Sequence, residues 1–413
     1  MRCRDASVWL ACLVFIVIAP LAVADEWKIS GGLDQTIKYD DNIDLSDEEK
    51  PVSGYLLKPN LAANWNTANM NIALLGQGDI RRFDDKRWDC QTYSVEGSQQ
   101  YQRRLNVYSI AANYSQSCSS SDQLSDTGVI RPNNESETYS LSPSWSWQWS
   151  LLDQFSLRLN YSTTIFSSSG INNEGETSAD AGFKGNETYS LNLSERHSWT
   201  RRLNSTASMN VSSSEFGSSN SSTSKQKTFG FQLSTGYNIT RLWTANIGGG
   251  LSWVQSPSRS NDIADSSDSL LRTEVFNFSL NYSGRRMNYG LDYSRTNSPS
   301  ASGQISENNT FNMNYSFEMS RKWSVNIDGS MLKNESIGQG DFSLSSERTY
   351  YTASVGVIWD FDKEWRLSAN YQYRRQEIIR SGEIVEDGQS GVRDSNVLTI
   401  QLNYNWDGLR VFH

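Results

Sequence analysis

The chain has 413 residues, 37% of them hydrophobic and 20% charged, with a formal net charge of -9 and a mean hydropathy of -0.59. That average excludes a protein built from membrane-spanning helices, each of which needs about 20 consecutive apolar residues. The acidic balance, without a basic run, argues against nucleic acid as a partner. The chain nonetheless carries 14 Trp, 19 Tyr and 15 Phe against 7 Pro, an aromatic load that a soluble core does not normally combine with so hydrophilic an average.

The first element is the one long apolar run, Val8 to Ala24, which follows Arg2 and Arg4 and ends in Ala22-Val23-Ala24 before Asp25. A basic start, an apolar centre and an A-x-A site predict a secretory signal peptide over 1–24, cleaved near Ala24. A retained anchor helix is the weaker reading, because the run is short and Pro20 interrupts it. Cys12 lacks the small, Leu-led surroundings of a lipoprotein cysteine. Residues 25–413 then form a single exported domain. Only Cys90 and Cys118 remain in it among the cysteines, and an even count in an oxidising compartment predicts one disulfide.

From residue 27 onward apolar and polar residues alternate. Tyr139, Leu141, Pro143, Trp145 and Trp147 share one parity, as do Phe155, Leu157, Leu159 and Tyr161, and Leu398, Ile400, Leu402, Tyr404 and Trp406. A period of two is a strand with two unlike faces. The pattern predicts strands over 27–39, 53–65, 69–83, 91–102, 105–116, 138–149, 155–166, 187–199, 203–213, 228–239, 243–253, 273–283, 287–294, 310–319, 323–331, 349–360, 365–375 and 396–406.

The connections alternate as well. Short polar turns recur in WTRRLNSTA at 199–207, NITRLWTAN at 238–246, YSGRRMNYG at 282–290 and MSRKWSVNI at 319–327, while long Ser/Asn/Asp/Gly-rich stretches fall at 117–136, 167–186, 212–227, 254–272, 295–309, 332–348 and 376–395. Tight turns alternating with long loops predict a transmembrane antiparallel up-and-down β-barrel with short turns in the periplasm and both termini on that side. The pattern favours 18 strands, and the weak segments 203–213 and 287–294 leave 16 or 20 open. Lipid offers no hydrogen bonds, so the sheet must close on itself. Trp149, Trp199, Trp243, Trp323, Trp359, Trp365 and Trp406 all lie near short turns and are the candidates for a membrane-interface girdle.

The opening strand runs into Tyr39-Asp40-Asp41-Asn42-Ile43, the second contains Leu57-Lys58-Pro59-Asn60-Leu61, and an aromatic-ending strand turns at Asn66-Thr67-Ala68. In these features the chain resembles the outer-membrane β-barrel porin families of Gram-negative bacteria, especially barrels associated with exopolysaccharide and exosortase (PEP-CTERM) gene systems. The resemblance covers the mature chain as a pattern, with the YDDN-like opening its one characteristic motif. It implies residence in the outer membrane, contact with its lipid and its assembly machinery, and a role in exopolysaccharide or surface-protein export. One departure concerns the C-terminus. The alternation stops at Trp406, and DGLRVFH follows, so the last strand either continues toward Phe412 or releases a short tail.

Catalysis needs a nucleophile and a base, usually with histidine. Only His197 and His413 exist, the first near a short turn and the second at the end of the chain, so no enzyme is expected. No metal site or cofactor is expected either. The carboxylates of Asp40-Asp41-Asn42, Asp44 and Asp47-Glu48-Glu49 read as a solvated loop before they read as a weak Ca²⁺ site. The polar parity carries the more informative chemistry, with Arg158, Asn160, Asn192, Arg196, Asp292, Asp360, Arg366, Asn370 and Arg374 as lumen-lining candidates. Hydroxyls, amides and scattered charges suit a water-filled channel for small hydrophilic solutes or polysaccharide. The alternative is a non-conducting barrel, its charges neutralising one another, whose loops form a surface interaction platform.

Overall fold

The backbone of this chain must place 48 aromatic residues without a large hydrophobic interior to receive them, and a closed sheet with one aromatic face achieves this. In the computed structural model, residues 26–118, 134–168, 185–217, 224–256, 269–299, 305–337, 345–381 and 391–412 are described. The segment 1–24 and His413 lie outside them. The strands are β1 (Glu26–Asp40), β2 (Val52–Asn66), β3 (Met70–Phe83), β4 (Cys90–Arg103), β5 (Asn106–Cys118), β6 (Asn134–Gln148), β7 (Asp153–Ser168), β8 (Asn186–Ser198) and β9 (Leu203–Phe216). They continue as β10 (Ser224–Asn238), β11 (Trp243–Ser256), β12 (Ser269–Ser283), β13 (Met287–Pro299), β14 (Ile305–Glu318), β15 (Trp323–Ile337), β16 (Ser345–Asp360), β17 (Trp365–Ser381) and β18 (Gly391–Phe412). Each strand pairs antiparallel with the next, and β18 returns to pair with β1. The barrel therefore has 18 strands, the number favoured by the sequence over 16 or 20. A 3₁₀ turn, Lys86–Trp88, sits between β3 and β4.

The eight short turns share one rim with both strand termini, and the long connections share the other. A side-chain hydroxyl organises most of the short turns. Thr200 Oγ1 accepts from the backbone N–H groups of Arg202 and Leu203 at 3.1 and 3.0 Å. Thr240 Oγ1 accepts from Leu242 and Trp243, both at 3.1 Å, and Ser320 Oγ from Lys322 and Trp323, both at 3.2 Å. Ser150 and Thr67 do the same in their turns. The hydroxyl satisfies N–H groups that the tight reversal takes out of the ladder.

At this rim the strand ends match the sequence pattern within about two residues, the end of β18 excepted. At the long-loop rim the strands run further than the alternation indicates. β14 starts at Ile305 instead of 310, β15 reaches Ile337 instead of 331, and β17 reaches Ser381 instead of 375. The stretches 295–309, 332–348 and 376–395 are thus partly strand, as are the ends of the other long connections. The reason is chemical: the outer parity changes from aromatic to charged while the ladder of backbone bonds continues, so the hydrophobic period ends before the strand does.

The C-terminal alternative resolves in favour of continuation, with Glu26 paired to Phe412. The alternation is lost at Trp406 because β18 carries an extra residue there. Ile29 pairs with Leu409 but Gly31 with Trp406, which makes a β-bulge. Gly408 has φ +87°, and a Cβ at this position would lie 1.5 Å from the carbonyl oxygen of Ile29. Only glycine fits there.

Candidate functional site

The register sorts the wall into two faces. One row runs Tyr315, Ile327, Val355, Tyr371, Leu398 and Tyr39 across β14 to β18 and β1. Ile327, Val355, Tyr371, Leu398 and Tyr39 are all exposed, at 44% to 47%. On the opposite parity, a row across β6 to β12 reads Ser144, Arg158, Asn192, Asn210, Gly230, Ser252 and Thr273. The buried hydrophobic set among the described residues is small, its one cluster being Ile43, Val52 and Trp88 with Phe83 beside the long-loop rim. The apolar surface of this chain is thus mainly on the outside of the sheet, a pattern foreign to soluble monomers.

The nine polar candidates all fall on the polar face. Arg158 pairs with Ser144 and Asn192, and Asn192 Oδ1 accepts from Asn210 Nδ2 at 2.7 Å. Asn160 Nδ2 donates to Ser190 Oγ at 3.1 Å. Arg196 pairs with Gln154 and Thr206, and Asp292 with Ser279 and Asn312. Asn370 Oδ1 lies over Gly356. Three of the candidates are engaged with opposite charges, Arg366 and Asp360 with each other and Arg374 with Asp40. Arg366 Nε donates to Asp360 Oδ1 at 2.6 Å, and Arg374 Nη2 to Asp40 Oδ1 at 2.5 Å.

The second pair belongs to a network the sequence did not disclose. Asp40 ends β1, and its side chain is fully buried. Its Oδ1 also accepts from Ser395 Oγ at 2.8 Å and from the backbone N–H of Asn42 at 3.3 Å. Lys38 Nζ forms an ion pair with Oδ2 at 2.9 Å. Arg374 on β17 reaches over β18 to meet β1, and its Nη2 also donates to Ser395 Oγ at 2.7 Å. Next to it Asp41 accepts from Asn396 N and Nδ2 at 2.6 and 2.8 Å, and Asn42 Nδ2 donates to the Asp394 carbonyl at 3.1 Å. Arg393 pairs with Asp47 at 3.0 Å. The YDDN segment is thus a clasp on the seam where the first strand meets the last. Asp40, Asp41 and Asp47 are taken up by these contacts and Glu48 by Lys50, while Asp44 Oδ1 is buried without a hydrogen-bond partner; among the described residues no cluster of three or more His, Cys, Asp or Glu side chains suits a metal ion.

Polar side chains also close over intervening strands elsewhere. Gly236 shows how: a Cβ there would meet Asn246 Oδ1 at 2.6 Å and Asn204 Oδ1 at 2.9 Å, so glycine leaves room for carboxamides from both neighbouring strands. Gln232 Nε2 on β10 meets Asn277 on β12 across β11. Sequence reading missed this carboxamide layer, whose signal is the recurrence of Asn and Gly on one parity near the short turns.

The aromatic candidates lie on the outer parity by the short-turn rim. Trp323 stacks on Trp359 at 5.4 Å, Trp243 meets Tyr282 at 4.9 Å and Trp365 meets Tyr404 at 4.8 Å. Trp149 contacts Trp147, and Trp199 packs on His197. Trp406 is opposite Gly31, beside the bulge. Trp27 and Trp65, stacked at 5.6 Å, belong to the same belt. At the other rim tyrosines bond carboxylates or amides, such as Tyr371 to Asn396 and Tyr373 to Asp394, both at 2.6 Å. Ion pairs crown them: Arg295–Glu307 and Arg375–Glu377, both at 2.6 Å, and Lys333–Glu347 at 3.0 Å.

Cys90 and Cys118 are joined in a disulfide with Cα atoms 6.3 Å apart, linking the long-loop ends of β4 and β5. In the neighbouring loop the Arg87 guanidinium holds the Asp85 carboxyl below the usual carboxylate range through a hydrogen bond. His197 Nδ1 lies 2.5 Å from Asp153 Oδ1, and Ser150 Oγ donates to the other oxygen of the same carboxylate at 2.5 Å. Hydroxyl and imidazole thus share the acid instead of meeting each other, which is not the order of a nucleophilic triad.

No family model matches the chain, and no curated protein matches it in sequence. Solved structures do match in shape. The copper transporter OprC aligns with a TM-score of 0.50 at 9% identity, covering 92% of this chain and 80% of that one. OccAB4 of Acinetobacter baumannii aligns at 0.49 and 9% identity, covering 94% and 98%. Outer-membrane expressed OmpT of Vibrio cholerae aligns at 0.38 and 13% identity, covering 94% and 99%. At such identities the likeness is one of fold.

Proposed function

We propose that this chain is exported by the signal peptide over 1–24, assembled into the outer membrane of a Gram-negative bacterium, and works there as a porin-like or export channel. The observation that carries the reading is the unlike pair of faces on a closed 18-stranded wall. An exposed aromatic and aliphatic outer band is what the hydrocarbon layer covers, and the Trp belt suits its lower interface. The polar face is then the lumen. Supporting this, Arg374 and Gln232 reach partners two strands away, which is possible where side chains converge on the concave side of a curved sheet. A barrel of this strand count has room for an aqueous channel. The sugar-compatible lining of carboxamides and hydroxyls, together with the family resemblance, favours exopolysaccharide or surface-protein export as the service it performs, with the outer-membrane assembly machinery inserting it.

Single-channel recording in planar bilayers tests the proposal. Steady ionic current that polysaccharide fragments block supports the channel, and a correctly folded barrel without current refutes it. That second result would favour the platform reading, for which the disulfide and the packed Ile43–Trp88 cluster at the long-loop rim speak, since both hold the external surface in one shape.

A further inference from the structure

Although the chain is acidic overall, four successive short turns carry only cations. Thr200-Arg201-Arg202, Thr240-Arg241-Leu242, Gly284-Arg285-Arg286 and Ser320-Arg321-Lys322 join β8 to β9, β10 to β11, β12 to β13 and β14 to β15. These turns hold seven basic residues and no acidic one, the nearest carboxylate along the chain being Glu318 at the end of β14. All seven are exposed. None makes an ion pair among the described residues. In three of these turns the hydroxyl at the first position satisfies the backbone, so the guanidinium and ammonium groups are not needed to build the turn.

Their surroundings point to a partner with both charge and grease. Trp199, Ile239, Leu242 and Met319 flank the cations and are exposed at 62%, 43%, 46% and 57%, with Trp243 and Trp323 one step up the wall. A soluble acidic polymer would not favour bare apolar side chains at its binding surface. A headgroup layer would, because aromatic rings and long cationic side chains are placed together at a lipid–water interface, with apolar parts inward and charges at the phosphates.

We infer that the short-turn rim spanning β8 to β15 docks anionic phospholipid headgroups of the leaflet it meets, so that the barrel gathers acidic lipid along one arc of its circumference. This rests on the reading of the chain as a membrane-spanning barrel. At the opposite rim outward cations are instead mixed with carboxylates: Arg295, Lys333 and Arg375 are ion-paired, and Lys225 stands opposite Glu215 in the register.

The test is reconstitution of the full barrel in phosphatidylcholine bilayers containing a trace of spin-labelled phosphatidylglycerol or spin-labelled phosphatidylcholine, with electron paramagnetic resonance reading the immobilised fraction. The expected result is a larger immobilised fraction for phosphatidylglycerol, reduced by high salt and lost when Arg201, Arg202, Arg285 and Arg286 are all changed to Gln. Equal fractions for the two labels in the inserted wild-type barrel overturn the inference, as does a preference that the fourfold variant retains. So does a rim that binds polyglutamate in detergent yet shows no lipid preference in bilayers, an outcome that assigns the arc to a soluble acidic partner. A chain that does not insert overturns the membrane reading and this inference together, and heat-modifiable mobility on gels separates that case from the others.

Discussion

Asp40→Asn removes the one anion that Arg374 and Lys38 share at the barrel seam. The side chain of Asp40 is 0% exposed, that of Arg374 11% and that of Lys38 24%. Breaking a buried pair by deleting one partner costs about 3–5 kcal/mol, because the remaining charge stays desolvated. Here two cations are left 2.5 to 2.9 Å from a neutral amide, but Lys38 retains some contact with water, which places the expected loss near the lower bound, about 3 kcal/mol. Arg374→Met is milder, since Asp40 keeps Lys38 as counter-ion and the donors from Ser395 and Asn42; loss of one charge-assisted hydrogen bond costs about 1.5–3 kcal/mol. The double variant should then lose about as much as Asp40→Asn and clearly less than the sum, because both substitutions disrupt one network. Urea unfolding of the barrel in lipid vesicles, read by tryptophan fluorescence, gives the three values. Hydrogen exchange localises the loss to the long-loop ends of β1 and β18. A wild-type midpoint for Asp40→Asn, or a smaller loss than for Arg374→Met, would refute the clasp as the element that fastens the seam.

Two further predictions concern single residues. Cys90→Ser opens the disulfide across a sequence separation of 28, a constraint worth roughly 3 kcal/mol in the chain-entropy model; limited proteolysis should cut the loops beside β4 and β5 faster, while insertion and heat-modifiability stay as in the wild type, and a barrel that no longer inserts would contradict this. Gly408→Val puts a Cβ into the Ile29 carbonyl and asks a branched residue to hold φ +87°, so the yield of folded, heat-modifiable barrel should fall sharply; unchanged yield would mean that the bulge is not part of the closed seam.

The strand number and the short-turn rim were legible because most short turns have a local chemical signal, a large apolar residue followed by a hydroxyl and a pair that includes a cation, as at Trp199-Thr200 and Met319-Ser320. The long-loop ends were not. There Glu307, Lys333, Glu347 and Glu377 replace aromatic residues on the outer parity, so the hydrophobic period stops while pairing goes on. The extent of β18 was hidden by the bulge, which shifts parity at Gly408. The clasp was the least accessible feature. Asp40 and Arg374 are separated by 334 positions, and only closure of the barrel makes them neighbours. What the sequence does offer is a charged residue on the polar parity at the ends of two strands, and the same description fits Asp360 and Arg366, whose pair is solvated. The disulfide was foreseeable from an even cysteine count at the ends of a single hairpin.

In the proposed channel the polar face is wet and the aromatic face meets lipid, and neighbouring positions on β7 distinguish the two. With Cys90 and Cys118 changed to Ser, single cysteines replace Asn160 or Leu159 in turn, and the reconstituted barrel is treated with a membrane-impermeant thiol reagent. Asn160 lies on the face of Arg158 and Ser190, and Leu159, 48% exposed on the bare barrel, lies on the face of Leu191. Rapid modification at 160 and protection at 159 are expected in bilayers, with both sites reacting in the unfolded chain. Protection at 160 with reaction at 159 would contradict the assignment of the two faces.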